Sequence, residues 1–345
     1  MTRSGERSLR ELPAAARQGA DGLGELLSRA IAPVVAHDAL RLVGTSPAAL
    51  FGAGSFSFWH GYDPALGLAL LHSAYAGDYP LTLPELTKRP VPAGVLGTGD
   101  GRRDLTARRL LAEHGVGSAL TLALRDAKGV WGALELVRAE GGSPFDHDDV
   151  SGAARLTRPL LTVLREHVTS GPLIPAVPRL APGVLVVGAD HRVRAATPQV
   201  SWWRKQLRDH QTAPDFTGAA YCAGLSLQTR RHAADPRTGP PLICGPPASH
   251  GRWVACHGQP LDGSGDVAIV VQAATAEQLL PSFCAWYGIT AREHQVIAQL
   301  HEAGAPKQIA RSLGLSVHTV NDHLKAVFRK TGAGGRDELV AATSG

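Results

Sequence analysis

The 345-residue chain has only four cysteines, Cys222, Cys244, Cys256 and Cys284, and none stands in a CxxC pair. Histidine spacing around them is irregular. The usual zinc-ligand spacings are therefore missing, no metal is expected, and the thiols read as reduced side chains in or near a core. No apolar run approaches the roughly 18 residues that read as a bilayer span. The first residues alternate charge with small side chains and lack the apolar stretch of a signal peptide. A soluble, cytoplasmic protein without a membrane partner is expected. The motifs of common chemistries are missing too: there is no GxxxxGK[ST], no GxSxG and no HExxH. The run GTGDGRR at 97–103 lacks the Lys-Ser/Thr that would make a phosphate loop, and reads as a surface turn. Fifteen histidines are scattered, and His60, His72 and His114 lack the paired spacing of haem or metal ligands. The Asp cluster, Ser/Thr and Lys of a phospho-receiver are absent from the first half. No catalytic residue and no cofactor is assigned, and no enzyme is expected.

What is present is a globular composition, 44% hydrophobic and 19% charged. The length implies two or three domains. The net charge of +5 comes from the second half: residues 172–287 carry 10 basic and 7 acidic side chains, and residues 288–345 carry 7 and 5. That excess argues only weakly for nucleic acid.

Along the chain, residues 1–40 form a helical leader, with Leu23, Leu26, Leu27, Ala30, Ile31 and Val34 on one helical face. This face suits either a second copy or its own domain. Residues 41–170 read as an α+β domain. Leu120, Leu122 and Leu124 alternate, Asp126–Gly129 is a turn, and Val130, Gly132, Leu134 and Leu136 alternate again, a β-hairpin with one buried face. Phe145-Asp146 then opens one long helix with Val150, Ala153, Leu160, Leu161, Leu164 and Val168 on one side. Residues 171–182 hold Pro172, Pro175, Pro178 and Pro182 and suit a stiff linker. Residues 183–275 form a second, smaller α+β domain with strands around a turn at Asp190-His191, a helix carrying Trp202, Trp203 and Leu207, and a closing hairpin from Arg252 to Gln272. The stretch 212–249 gives no clear pattern. Residues 276–287 form a connector helix.

Residues 288–345 are the most readable. Thr290 and Glu293 have capping-box spacing, and Val296, Ile297, Leu300 and Ala303 make an apolar helix face that stops at Gly304. Pro306 opens a short second helix with Ile309, Ala310 and Leu313 inward. Gly314-Leu315 is a tight turn, and Ser316 caps a third helix, 317–330. Val317, Val320, Leu324, Val327 and Phe328 form its apolar stripe; His318, Asn321, Asp322, Lys325 and Arg329 form a polar stripe about half a turn away. Gly332, Gly334 and Gly335 precede a last helix with Leu339 and Val340. Short helices around a glycine turn, with a polar helix presented, make the helix-turn-helix pattern.

The segments ITARE, VIAQLHEAG, KQIARSLGLS, RKTG and RDELVA resemble the LuxR-type helix-turn-helix of bacterial transcription regulators over about the last 58 residues. The hairpin and long helix of 41–170, with FWHGYDPALGLALLHSAY before them, resemble a GAF domain, a small-molecule sensing module with a pocket between sheet and helices. PGVLVVGADHRVRAATP with the closing hairpin resembles a PAS domain. The resemblance implies a multidomain fold: GAF-like and PAS-like α+β sensor domains, then an all-α four-helix DNA-binding domain. It implies a sequence-specific regulator of double-stranded DNA, working as a homodimer with RNA polymerase and controlled by an unidentified small ligand or partner. No ligand-contacting residue carries over.

Asn321, Asp322 and Lys325 align with family positions that meet bases, and His318 shares their exposed face. Asn can pair with adenine, Lys with guanine, and an acidic side chain with cytosine; Asp322 can equally orient Lys325. Ser316, Thr319 and His323 align with positions that meet the backbone or support the helix, and Arg311, Arg329, Lys330 and Arg336 are phosphate candidates. Many relatives have Lys at the place of Asn321, and Asp322 repels phosphate, so the salt-dependent part of affinity is expected to be low. Family members pair through the last helix, which points to Leu339 and Val340. The rival reading is a protein-interaction regulator whose helical module binds RNA polymerase or a sigma factor; region 4 of sigma factors has a similar helical plan.

Overall fold

The computed structural model describes residues 11–16, 22–45, 47, 55–209, 216–261, 263, 265–302 and 305–344. A helical stretch over 11–16 and helix α1 (Leu23–Ile31) lead into two five-stranded antiparallel sheets. The first sheet contains β1 (Ala39–Gly44), β2 (Phe56–His60), β3 (Ala93–Val95), β4 (Val116–Asp126) and β5 (Gly129–Ala139). Helices α2 (Pro64–Ala76), α3 (Leu83–Leu86) and α4 (Arg102–Glu113) lie between its strands in sequence. Helices α5 (His147–Arg155) and α6 (Thr157–Thr169) follow. The second sheet contains β6 (Gly183–Val187), β7 (Val193–Ala196), β8 (Leu242–Gly245), β9 (Val254–Pro260) and β10 (Val267–Ala273), with α7 (Gln199–Asp209), α8 (Phe216–Ala234) and α9 (Pro247–His250) inserted. The strand orders are β2-β1-β5-β4-β3 and β7-β6-β10-β9-β8. Numbered from one within each sheet, both read 2-1-5-4-3.

The β4–β5 hairpin is the spine of the first unit. Leu120 pairs with Leu136 and Leu122 with Leu134, and all four are fully buried. They face α1, α5 and α6 in one apolar layer. The hairpin was expected to bury one face; both are covered. Ala119, Ala123 and Val137 point the other way into a second layer with Leu66 and Leu70 of α2, Leu86 of α3 and Leu111 of α4. Small side chains on that face let the helices approach the sheet. The leader helix α1 packs on its own unit, with Leu23, Leu27 and Ile31 at 0% exposure, whereas Leu26 remains exposed. The single long helix expected after Asp146 is two, separated at Leu156. Pro159 has no N–H to give the carbonyl of Arg155, which removes one helical bond at that turn.

In the second unit, α8, β8 and α9 occupy the stretch that gave no pattern. Gly218, Gly224, Ser226 and Thr229 interrupt the apolar periodicity of α8. At Thr229 the helix lies close against the sheet: a β-carbon at Gly258 of β9 would collide with the Thr229 side chain. Thr229 turns its hydroxyl back onto the Leu225 carbonyl at 2.7 Å.

Helix α10 (Ala276–Trp286) joins everything. Its Trp286 lies 4.8 Å from the Trp131 ring and 6.0 Å from the Phe56 ring of the first unit. Phe283 lies 6.4 Å from Trp253 of the second unit and 4.4 Å from Tyr287. His167 of α6 fits beside this junction, 5.0 Å from Phe56 and 4.9 Å from Phe58, with its Nε2 3.0 Å from the Ser249 hydroxyl of the second unit.

Two predictions follow from this junction. Trp286→Ala removes a fully buried indole and costs about 3–5 kcal/mol, read as a lower urea midpoint; an unchanged midpoint would show that the aromatic contacts do not hold the units. Burial pushes the His167 imidazole from its ordinary 6.5 down to about 4. Between those values the unfolded chain binds a proton that the folded chain refuses, so stability rises with pH. The contribution is full above about pH 6.5 and is lost as pH falls towards 4, by about 3 kcal/mol in all. Between pH 6.5 and 4 the wild type should therefore lose about 3 kcal/mol of stability relative to His167→Gln; a difference independent of pH would contradict it.

Candidate nucleic-acid interface and a cavity in the first unit

The C-terminal unit is built from α11 (Ala291–His301), α12 (Pro306–Leu313), α13 (Val317–Thr331) and α14 (Arg336–Ser344). Each start has a local cause. Thr290 donates its backbone N–H to Glu293 Oε2 at 2.7 Å, and its hydroxyl accepts from the Glu293 N–H at 3.3 Å. Gln308 accepts from the Ala305 N–H at 2.9 Å, and Pro306 occupies the first turn, where no N–H is needed. Gly314 has φ 63°, a left-handed turn that a glycine takes without strain. Ser316 accepts from the Thr319 N–H at 3.0 Å and so caps α13. The expected stop at Gly304 lies outside the described residues.

Val320 and Val327 are fully buried and Leu324 nearly so; with Ile297, Leu300, Ile309 and Ala310 they fix α13 to its neighbours. The opposite face is open. His318 is 87% exposed, Lys325 77% and Asp322 52%; Asn321, Arg311, Ser316 and Arg329 are exposed, while Thr319, His323 and Arg336 are half-buried. Asp322 sits between two of its neighbours, 3.0 Å from His318 Nδ1 and 3.8 Å from Lys325 Nζ. The geometry places its carboxylate where it can hold both side chains.

Three assignments change. Lys330, a phosphate candidate, turns inward: its Nζ is 2.6 Å from Glu293 Oε2, with Glu293 only 6% exposed. Burial opposes ionisation of Glu293, but the bonds from Lys330 and Thr290 outweigh it and hold the carboxyl below its ordinary range. Leu339, a pairing candidate, is at 0% exposure, consumed in the unit's own core where α14 meets α10. Only Val340 of that pair keeps accessible surface. Val317 is 42% exposed, because it stands in the first turn beyond the reach of α11 and α12, and it does not belong to the buried stripe.

A second site had no residue assigned from sequence. A cavity of about 320 Å³ lies between the first sheet and α2–α3. Its floor is a polar rung across three strands: Arg41 pairs with Glu135, and Glu135 with Thr121. Tyr62 donates to Glu135 Oε2 at 2.7 Å, Arg41 Nη1 is 3.6 Å from the same oxygen, and Tyr79 and Thr121 share a hydrogen bond at 3.3 Å. Burial, then the Glu135 carboxylate, push the Tyr62 and Tyr79 phenols well above their ordinary value, so both stay protonated. Leu70, Leu71, Leu81 and Leu83 supply apolar walls. The signal was there: Arg41, Thr121 and Glu135 are single polar residues, each between two leucines.

Residues 288–343 match the family model described as GerE, bacterial regulatory proteins, luxR family. The C-terminal unit is a helix-turn-helix domain of that family. Over 55 residues the chain is 40% identical to the monoamine regulon transcriptional regulator of Klebsiella aerogenes, a match covering 16% of this chain and 24% of that protein. The chain thus matches about a quarter of the length of this curated relative. Two solved structures are similar at a TM-score of 0.30: Escherichia coli SdiA, 12% identical over 99% of this chain and 90% of that one, and SdiA in complex with octanoyl-rac-glycerol, 14% identical over 100% and 90%. Among the described residues, no helix is long and apolar enough to cross a membrane.

Lys330→Ala is expected to destabilise the protein by about 3 kcal/mol, since it strands a buried carboxylate. Lys325→Ala, at an exposed pair, should change stability by less than about 1 kcal/mol. Urea unfolding of both variants checks this, and equal effects would return Lys330 to the surface set.

Proposed function

We propose that the chain is a sequence-specific DNA-binding transcriptional regulator that reads the major groove with α13, under the control of a small molecule held by the units ahead of it. One observation carries the reading: α13 is fixed by a buried apolar face and presents an open polar face inside a domain of a DNA-binding regulator family. His318, Asn321, Asp322 and Lys325 are the base readers. Arg311, Ser316, Thr319, His323, Arg329 and Arg336 contact the sugar-phosphate backbone. With Lys330 withdrawn into an internal pair and Asp322 in the groove-facing set, few phosphates are neutralised, and binding relies on direct readout and on two copies acting at an inverted repeat. The 41–170 unit takes the GAF-like sensing role and the 183–275 unit the PAS-like relay role. The cavity supports the first: its size falls at the low end of the about 300–1,000 Å³ typical of small-molecule sites, with apolar walls and a few convergent polar groups. The protein acts in the cytoplasm with RNA polymerase as its downstream partner.

Site selection from random duplexes, followed by gel shift, tests the reading. Lys325→Ala should relax base preference at one position and cost about 1–3 kcal/mol on the selected site. Arg329→Ala should weaken all sequences alike and reduce the salt slope by about 1. The reverse pattern would exchange the two roles. Absence of any shifted duplex, with capture of RNA polymerase or a sigma factor, would favour the protein-interaction reading instead.

A further inference from the structure

The cavity is not closed by the first unit alone. Arg231 of α8, in the second unit, also lines it, because α8 packs across α2. The charges around the cavity can be counted. Glu135 is satisfied by Arg41 and Tyr62. At the rim, Glu85 accepts from Arg103 at 3.1 Å and from the Thr82 hydroxyl at 2.7 Å. Arg231 has no acidic partner among the described residues, and one positive charge is left over. Two further polar atoms lack a partner among the described residues: the hydroxyl of Thr45, a lining residue at 3% exposure, and Arg41 Nε. Tyr75 lies beside Arg231, and burial pushes its phenol up to about 12, so it adds no negative charge. Arg231 is exposed at the rim; a cationic guest would meet an excess of its own sign there, and a purely apolar one would leave the buried Thr45 hydroxyl and Arg41 Nε unpaired.

We propose that the cavity binds a small amphipathic carboxylic acid, with its apolar body between the leucine walls and its carboxylate on Arg231, so that the bound acid ties the second unit to the first. The volume of about 320 Å³ is at the small end of small-molecule sites and suits a compact guest. The bound carboxylate reaches across the two units, and ligand binding stabilises their contact by mass action. This rests on the ligand-controlled reading of the first unit but not on DNA binding.

Isothermal titration of the full chain tests it with three matched probes: hydrocinnamate, hydrocinnamyl alcohol and the corresponding amine. The acid is expected to bind about tenfold or more tightly than the alcohol, the worth of one charge-assisted hydrogen bond, and the amine weakest. Arg231→Ala should erase the preference for the acid over the alcohol, while Arg231→Lys retains part of it. Ala74→Phe, which fills the cavity from α2, should abolish binding of all three. Equal binding of acid and alcohol, or an acid preference that survives Arg231→Ala, overturns the proposal, as does acid binding that Ala74→Phe leaves intact. Gel shift on the same preparations separates the two readings: acid binding without DNA binding sinks the regulator and keeps the ligand, and DNA binding without acid binding does the reverse.

Discussion

Three units meet on one short helix, and the packing of its aromatic residues holds them. Helix α10 puts Trp286 against Trp131 and Phe56 on one side, and Phe283 against Trp253 on another. Its C-terminal end leads directly through Tyr287 into α11. Each of these side chains is large and almost wholly buried, so the contact is worth several kcal/mol of apolar burial. A single apolar layer consequently runs from the first sheet through α10 to the core of the helix-turn-helix unit. A packed layer of this kind has discrete arrangements rather than a continuum. A change in how the two sheets sit can therefore reach the C-terminal unit by repacking α10.

Helix α13 is held by charge as well as by apolar contact. The pair between Lys330 and Glu293 links the last turn of α13 to the first turn of α11, and Glu293 simultaneously caps α11 through Thr290. One carboxylate thus sets the start of one helix and the end of another. Fixing α13 this way withdraws a cation from the surface. On the open face of α13, Asp322 lies beside His318 and Lys325, leaving Arg329 as the exposed cation without an acidic neighbour among the described residues.

The two sheets share a strand plan but differ in what they enclose. In the first, the rung Arg41–Glu135–Thr121 keeps polar groups under α2 and α3, and a cavity remains there. In the second, α8 lies directly on the sheet, with Leu225 of the helix packed against Ile243, Val267 and Ile269. The difference is one of side-chain size and polarity on a common backbone plan. It gives the first unit room for a guest and the second a surface that braces the first.

The helix-turn-helix was legible in the sequence because its signals are local. Capping at Thr290 and Ser316, Pro306 at a first turn and Gly314 at a left-handed turn each follow from a few adjacent residues. The β4–β5 hairpin was legible for the same reason, through its alternating leucines and tight turn. Helix α8 was not, because its small residues break the apolar periodicity, and one of them, Thr229, answers to the close approach of Gly258 in the sheet rather than to helical propensity. The fates of Lys330, Leu339 and Val317 were also decided by tertiary structure. Lys330 was a phosphate candidate and Leu339 a pairing candidate, but Glu293 stands 37 residues away from Lys330, and Leu339 is wholly buried where α14 packs against α10. Arg41, Thr121 and Glu135 could be seen as isolated polar residues among leucines; only the sheet register brings them together under one cavity. Local chemistry thus determined α13, whereas the residues that fix it, and those that line the cavity, depend on contacts between segments far apart in the chain.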